Sequence, residues 1–202
     1  MEGDDDASIT IELVHQKIGR NLLLFQKLEY TLKMMVAMSE ISGYATNLEE
    51  NIDLRTAWAM KKTLGQIVGE HVESFNSVDE HGPEPSPMRK EPHLSMRITT
   101  QCEDDFLEKR KSVLAGLVKE RNDLVHHLLA TYKLNDEKSR RQLVAMLDNQ
   151  HQRLKEEVDF SYNIGKRQFE TRQALAAWLQ SEEGREFMVS ELRKARKLNR
   201  RT

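Results

Sequence analysis

The sequence predicts an all-α protein: an up-and-down bundle of four to five helices with a long C-terminal helical extension. Three observations carry that expectation. Only 9 Gly and 4 Pro punctuate 202 residues. Charged residues make up 32% and hydrophobic ones 38%, and Glu, Lys, Arg, Leu, Met and Gln, whose straight side chains lose little rotamer freedom in a helix, dominate. Apolar residues recur at three- and four-residue spacing over long stretches, the period of helices with one buried face. A chain of this length suffices for one well-buried domain, or for a domain with a helical appendage.

In chain order, Ser8 suits the N-cap of a first helix over about Ile9 to Ser42, with Gly43 as its C-terminal stop. Val14, Ile18, Leu22, Phe25, Leu28, Leu32, Met35 and Val36 define its buried face. Glu29 falls within that stripe; a carboxylate there needs a partner, so it is expected to meet an arginine from another helix. Tyr44 to Asp53 reads as a polar connector and Leu54 to Phe75 as a second helix. Gly65 and Gly69 inside it cost roughly 1 kcal/mol each relative to alanine, which points to close helix packing or a break. His71 is expected at the surface or rim. Pro83, Pro85 and Pro87 make residues 76–93 a flexible loop. Leu94 to Thr99 alternates apolar and polar residues as a strand does but has no visible partner, so it is expected to dock on the bundle as an extended segment. A third helix should begin at Thr100 or Gln101, with Glu103, Asp104 and Asp105 complementing its positive end, and run to about Tyr132. A fourth covers Glu137 to Gln180, with Gly165 as a place for a kink. Ser181-Glu182-Glu183 caps a last helix, from Gly184 to about Leu198. The organisation expected is a helical core over 8–135 and, packed on the same domain, a long helix and basic C-terminal helix over 136–202.

A formal net charge of −2 gives no chain-wide field for a polyanion, so any nucleic-acid contact must use a local patch. The most basic run holds Arg193, Lys194, Arg196, Lys197, Arg200 and Arg201. Such a run can follow a phosphate backbone, or it can simply complement the negative end of a helix dipole. No aromatic is interleaved, so base stacking is not expected there. Cys102 is the single cysteine, which excludes an intramolecular disulfide and a cysteine-built zinc site; no metal or other cofactor is expected. The acidic start lacks a positive region leading into an apolar run, and nowhere do 18 apolar residues follow one another. A cytoplasmic protein with no membrane partner is the expectation.

One segment, Lys119 to Leu129, does not fit plain scaffold. On a helical projection Leu114, Leu117, Val118, Leu124, Val125, Leu128 and Tyr132 fall within roughly 60° of Arg121. A guanidinium at that position needs a carboxylate, a phosphate or a solvent-filled crevice to face. One reading pairs Arg121 with Glu29 across the core and leaves His126 and His127 on the polar face. The other gives the segment chemistry. On an ideal helix, however, His127 lies roughly 120° from Arg121 and His126 roughly 140° the other way. A site built from them therefore requires either a helix that is irregular around Asn122 or two copies meeting across a symmetric dimer.

Arg121-Asn122-Asp123-Leu124-Val125-His126-His127 resembles the Arg-Asn-x4-His signature of HEPN domains, the helical "higher eukaryotes and prokaryotes nucleotide-binding" superfamily. The resemblance implies a metal-independent endoribonuclease that acts as a homodimer, the two motifs lining one cleft. RNA supplies its own nucleophile in the 2′-OH, so cleavage needs a general base or acid near neutral pH and a cation against the developing phosphorane charge. His127 and Arg121 suit those roles. Asn122 would orient a phosphate or support the histidine, His126 takes over if the spacing is read one shorter, and the product would be a 2′,3′-cyclic phosphate. A toxin or anti-phage defence effector is the biological setting implied, with an inhibitory protein as a further partner. Where a toxin subset carries His-x-Tyr this chain has Leu129, so regulation by nucleotidyl transfer to tyrosine does not carry over. The alternative is a non-catalytic helical module that binds RNA or protein.

Overall fold

The computed structural model describes residues 8–44, 46–76, 93–98 and 103–198. Helix α1, Ile11–Met38, is shorter at both ends than expected, and side chains account for both limits. Thr10, not Ser8, is the N-cap: its hydroxyl accepts from the Leu13 N–H at 3.2 Å. At the other end the Ser39 hydroxyl donates to the Val36 carbonyl at 2.9 Å, and the Arg55 guanidinium donates to the same oxygen at 3.3 Å. With that carbonyl satisfied, the chain leaves the helix as strand β1, Glu40–Tyr44. It pairs antiparallel with β2, His93–Arg97, setting Ile41 opposite Met96 and Gly43 opposite Leu94. The alternating segment therefore has a partner after all. Gly43 is a strand residue rather than a helix stop, and a Cβ there would stand 2.7 Å from the Asn51 Nδ2. That amide donates to the Ser42 carbonyl at 3.0 Å, so the missing side chain is what lets the next helix lie against the strand.

The single helix expected over 54–75 is two, α2 (Leu48–Met60) and α3 (Leu64–Asn76). Thr63 and Gln66 form the reciprocal cap that starts α3: the Gln66 side-chain oxygen accepts from the Thr63 N–H at 2.9 Å, and the Thr63 hydroxyl accepts from the Gln66 N–H at 3.4 Å. Gly65 is a close-packing position, since a Cβ would lie 3.4 Å from Val118 of α4 (Asp104–Asn122), whereas nothing lies within 4 Å of one at Gly69. After α4 come a π-helical turn, Asp123–His127, a short α5, Leu128–Thr131, and α6, Glu137–Gln180. The bounds of α6 are those expected. It runs without interruption through Gly165, where a Cβ would meet the Met35 side chain at 3.2 Å. Thr100, Gln101 and residues 77–92 of the expected loop lie outside the described residues.

Val14, Phe25, Leu28, Leu32 and Met35 of α1 share one core with Ile67 and Val72 of α3, Leu114 and Leu117 of α4, and Leu143, Leu147, Leu154 and Val158 of α6. Each such side chain contributes about 2 kcal/mol by leaving water. The chain is an all-α bundle with a long C-terminal helix and, among the described residues, one two-stranded sheet. Two compact units divide inside α6, between Gly165 and Lys166. The turn at 132–136 is not that division, because α6 belongs to the first core as far as Val158. In the second unit α6 ends and α7, Glu182–Leu198, begins at a corner. The Ser181 hydroxyl accepts from the Gly184 N–H at 3.1 Å, and the Trp178 and Phe187 rings meet at 5.4 Å. Glycine is required at 184, where a Cβ would fall 2.1 Å from the Trp178 carbonyl oxygen. No helix among the described residues is long and apolar enough to cross a membrane.

Candidate functional site

Helix α4 turns Leu114 and Leu117 into the core and carries polar residues from Lys119 onward, and at Asp123 its hydrogen bonding widens from i→i+4 to i→i+5. Asn122, Asp123 and Leu128 keep right-handed helical dihedrals. His127 does not: its φ is −121° and ψ −2°. The extra residue of the π turn rotates the downstream residues by roughly 100° relative to an unbroken α-helix. Leu124 and Leu128 still reach the core through the turn. Val125, expected in the apolar stripe, is instead 46% exposed, and Leu129 is 74% exposed. The Thr131 hydroxyl donates to the His127 carbonyl at 3.0 Å and fastens the end of the turn.

Between this segment and α6 lies a groove of about 530 Å³, lined on one side by Lys119, Glu120, Asp123, His127 and Thr131 and on the other by Gln150 and Arg153. The Glu120 carboxylate accepts from the Arg153 guanidinium at 2.8 Å and from the Gln150 amide at 3.2 Å. Gln150 is held in turn by Asn21 of α1, whose amide donates to the Gln150 side-chain oxygen at 3.0 Å and to the Leu147 carbonyl at 2.8 Å. Asn21 and Gln150 are buried. A chain of polar contacts thus runs from the core to the groove, keeping each buried amide satisfied and fixing one side of Glu120.

The structure divides the residues that the sequence grouped. His127 lines the groove, and the exposed His126 ring stands 6.3 Å from it, centroid to centroid. Arg121 and Asn122 do not line it. Arg121, half-buried, donates to the Asn122 side-chain oxygen at 3.3 Å. Its expected pairing with Glu29 is not formed. Glu29 takes Lys33 of its own helix at 2.6 Å, and the Lys33 ammonium also donates to the Met60 carbonyl at 3.1 Å. An i,i+4 lysine reaches a carboxylate without any tertiary alignment, and here it satisfies the position that an arginine from another helix was expected to fill. Arg193, Lys194, Arg196 and Lys197 fall on α7, with the Arg193 side chain exposed; Arg200 and Arg201 lie outside the described residues.

A second polar cluster was missed from the sequence. His71, expected at the rim, is 4% exposed, because it turns inward with Ile67, Val68 and Val72 on one face of α3. Burial first, and then the Arg110 cation, push its pKa down to about 4. Arg110 makes a bidentate ion pair with Glu157, with Nη1 and Oε2 2.6 Å apart, and its guanidinium sits 4.1 Å from the centre of the Phe160 ring. The Ser161 hydroxyl donates to the same carboxylate at 3.0 Å. Elsewhere on α6, Asp148 accepts from Lys17 at 2.6 Å and from Arg20 at 3.0 Å, and the Lys17 hydrogen bond is the main cause of its lowered pKa. A signal for some of these residues was present: Gln150, Glu157 and Ser161 interrupt the stripe of Leu143, Leu147, Leu154 and Val158 as Arg121 interrupts its own.

No family model, no curated protein and no solved structure matches this chain.

Proposed function

We propose that the chain is a metal-independent endoribonuclease of the HEPN type, working as a homodimer. What supports this reading above all is that the π turn falls on the Arg-Asn-x4-His segment, and that its non-helical residue, His127, opens onto a solvent-accessible groove. Helices widen in this way rarely and often at functional sites, and the bridge region of backbone space is likewise frequented by active-site residues. In the proposed reaction the His127 imidazole takes the proton of the RNA 2′-OH as its oxygen bonds to phosphorus. The P–O5′ bond breaks, a proton is returned to that oxygen, and a 2′,3′-cyclic phosphate and a 5′-hydroxyl remain. The charge that develops on phosphorus needs a guanidinium. Within one protomer Arg121 is off the groove, so the reading assigns that role to Arg121 of the partner subunit, oriented by its own Asn122. The exposed Val125 and Leu129, close in sequence to Arg121, supply an apolar contact for a second copy. A toxin or defence effector, restrained by an inhibitory protein partner, is the setting that suits such an activity.

Incubating the protein with labelled single-stranded RNA in excess chelator tests the proposal. Cyclic-phosphate ends are expected from wild type and none from His127→Ala or Arg121→Ala. Ends that those variants produce at the wild-type rate would refute it. A second reading, a non-catalytic RNA-binding or protein-interaction module, is favoured by the separation of Arg121 from the groove; it predicts that RNA is recovered uncut, bound in the first case and unbound in the second.

A further inference from the structure

The groove holds a guanidinium that lies outside the Arg-Asn-x4-His segment. Arg153 comes from α6, is 53% exposed on its side chain, and is held by Glu120, whose side chain is 29% exposed. A pair this open to water is weak, since solvent screens the attraction and two long side chains must be ordered to form it. A phosphodiester offers the same guanidinium two oxygens in a planar fork, a better match than the single contact Glu120 makes. Glu120 itself cannot follow Arg153 freely, because its second oxygen is tied to Gln150, which is tied to buried Asn21. Lys119 adds a second cation to the same groove.

We propose that the groove is an RNA-phosphate subsite, with Arg153 as its phosphate-binding cation and Glu120 as the anchored carboxylate that occupies Arg153 until RNA displaces it. This rests on the endoribonuclease reading and adds to it. Arg153 takes a phosphate next to the scissile one, on the protomer whose His127 faces the same groove. Glu120 is a positioning residue, acting through Arg153, and it sets how readily the free protein takes RNA.

Binding of a fluorescent 2′-O-methyl RNA oligomer, which lacks the nucleophile and cannot be cut, separates affinity from cleavage. Arg153→Ala is expected to weaken binding roughly tenfold or more. It should also shrink the slope of log affinity against log salt by about 0.7, the loss of one phosphate contact on a single strand. Glu120→Gln keeps one oxygen that can accept from Gln150 but turns an NH2 toward Arg153 and removes the charge, and should tighten binding several-fold, roughly half a log unit. That gain should vanish in the double variant with Arg153→Ala, because the two residues act as a pair. Asp148→Asn, which removes a carboxylate elsewhere on α6, should leave affinity unchanged and so exclude a general charge effect. If wild type cuts RNA while Arg153→Ala and Glu120→Gln bind like wild type, the subsite is wrong and the nuclease stands. If wild type cuts nothing yet the variants change affinity as stated, the nuclease is wrong and the subsite stands. No binding by wild type, or a Glu120→Gln gain that survives in the double variant, overturns the subsite.

Discussion

His71 makes the first unit acid-sensitive in a way that can be worked out and measured. Its imidazole is 4% exposed and titrates at about 4, against 6.5 for the free side chain. As pH falls below 6.5 the unfolded chain takes up a proton at this residue while the folded chain does not, until about pH 4. The unfolded state therefore binds more protons throughout that window, and stability is lost as pH drops through it. At about 1.4 kcal/mol per pH unit the gap corresponds to about 3 kcal/mol. The perturbation is His71→Gln, which puts a non-titrating amide of similar reach in place of the imidazole. Denaturant unfolding followed by circular dichroism at pH 7, 6, 5 and 4 gives both stability curves. The variant will have its own cost at pH 7, so the informative quantity is the change in the difference between the two proteins. That difference should move by about 3 kcal/mol in favour of the variant between pH 7 and pH 4. Carboxylates such as Asp148 also lose native interactions on acidification, but they do so equally in both proteins and cancel. Parallel curves would refute the reasoning, since they would mean that His71 takes up its proton in the folded state without penalty.

The packing sets three further outcomes. Arg121→Ala should change stability by less than about 1 kcal/mol, because the side chain is bonded to exposed Asn122 and not to a buried carboxylate; a loss of several kcal/mol in denaturant unfolding would restore the core-pair reading. Glu157→Ala should cost about 3–5 kcal/mol by leaving the Arg110 guanidinium largely buried without its counter-charge, read as a fall in midpoint at constant slope. Gly184→Ala should open the corner between α6 and α7, because a Cβ there collides with the Trp178 carbonyl; faster proteolysis between residues 180 and 184, with the first unit's unfolding midpoint unchanged, is the expected result.

How far the sequence could be read depended on whether a feature was local. The span of α6 was legible because its apolar stripe and the breaks at both ends lie within it. The core face of α1 was legible for the same reason, and Val14, Phe25, Leu28, Leu32, Met35 and Val36 are all buried. The β1–β2 pair was not, since its strands are far apart in the chain and Glu40–Tyr44 reads as the end of a helix until its partner is known. Gly65 and Gly69 left a break before α3 open without placing it, although Thr63 and Gln66 carry the spacing of a capping box. His71 went to the rim because no other ligand stands at metal spacing beside it, whereas its place on the face of Ile67, Val68 and Val72 carries it inward. At the candidate site, projection set Arg121 and His127 on different faces of an ideal helix and called for either an irregularity near Asn122 or two copies meeting across a dimer; an irregularity is present at Asp123–His127. No residue preference could say that it would be a π turn, or that α6 would bring Arg153 and Gln150 to the groove.

The proposed division of labour, with His127 from one protomer and Arg121 from the other, is open to a direct measurement. Arg121→Ala and His127→Ala are each expected to be inactive on RNA in excess chelator. When they are mixed in equal amounts and allowed to exchange subunits, half of the dimers carry one of each, and one of the two sites in such a dimer regains both groups. Cleavage should return to about a quarter of the wild-type rate. A mixture as inactive as its components, beside a wild type that cuts, would contradict a site shared between subunits.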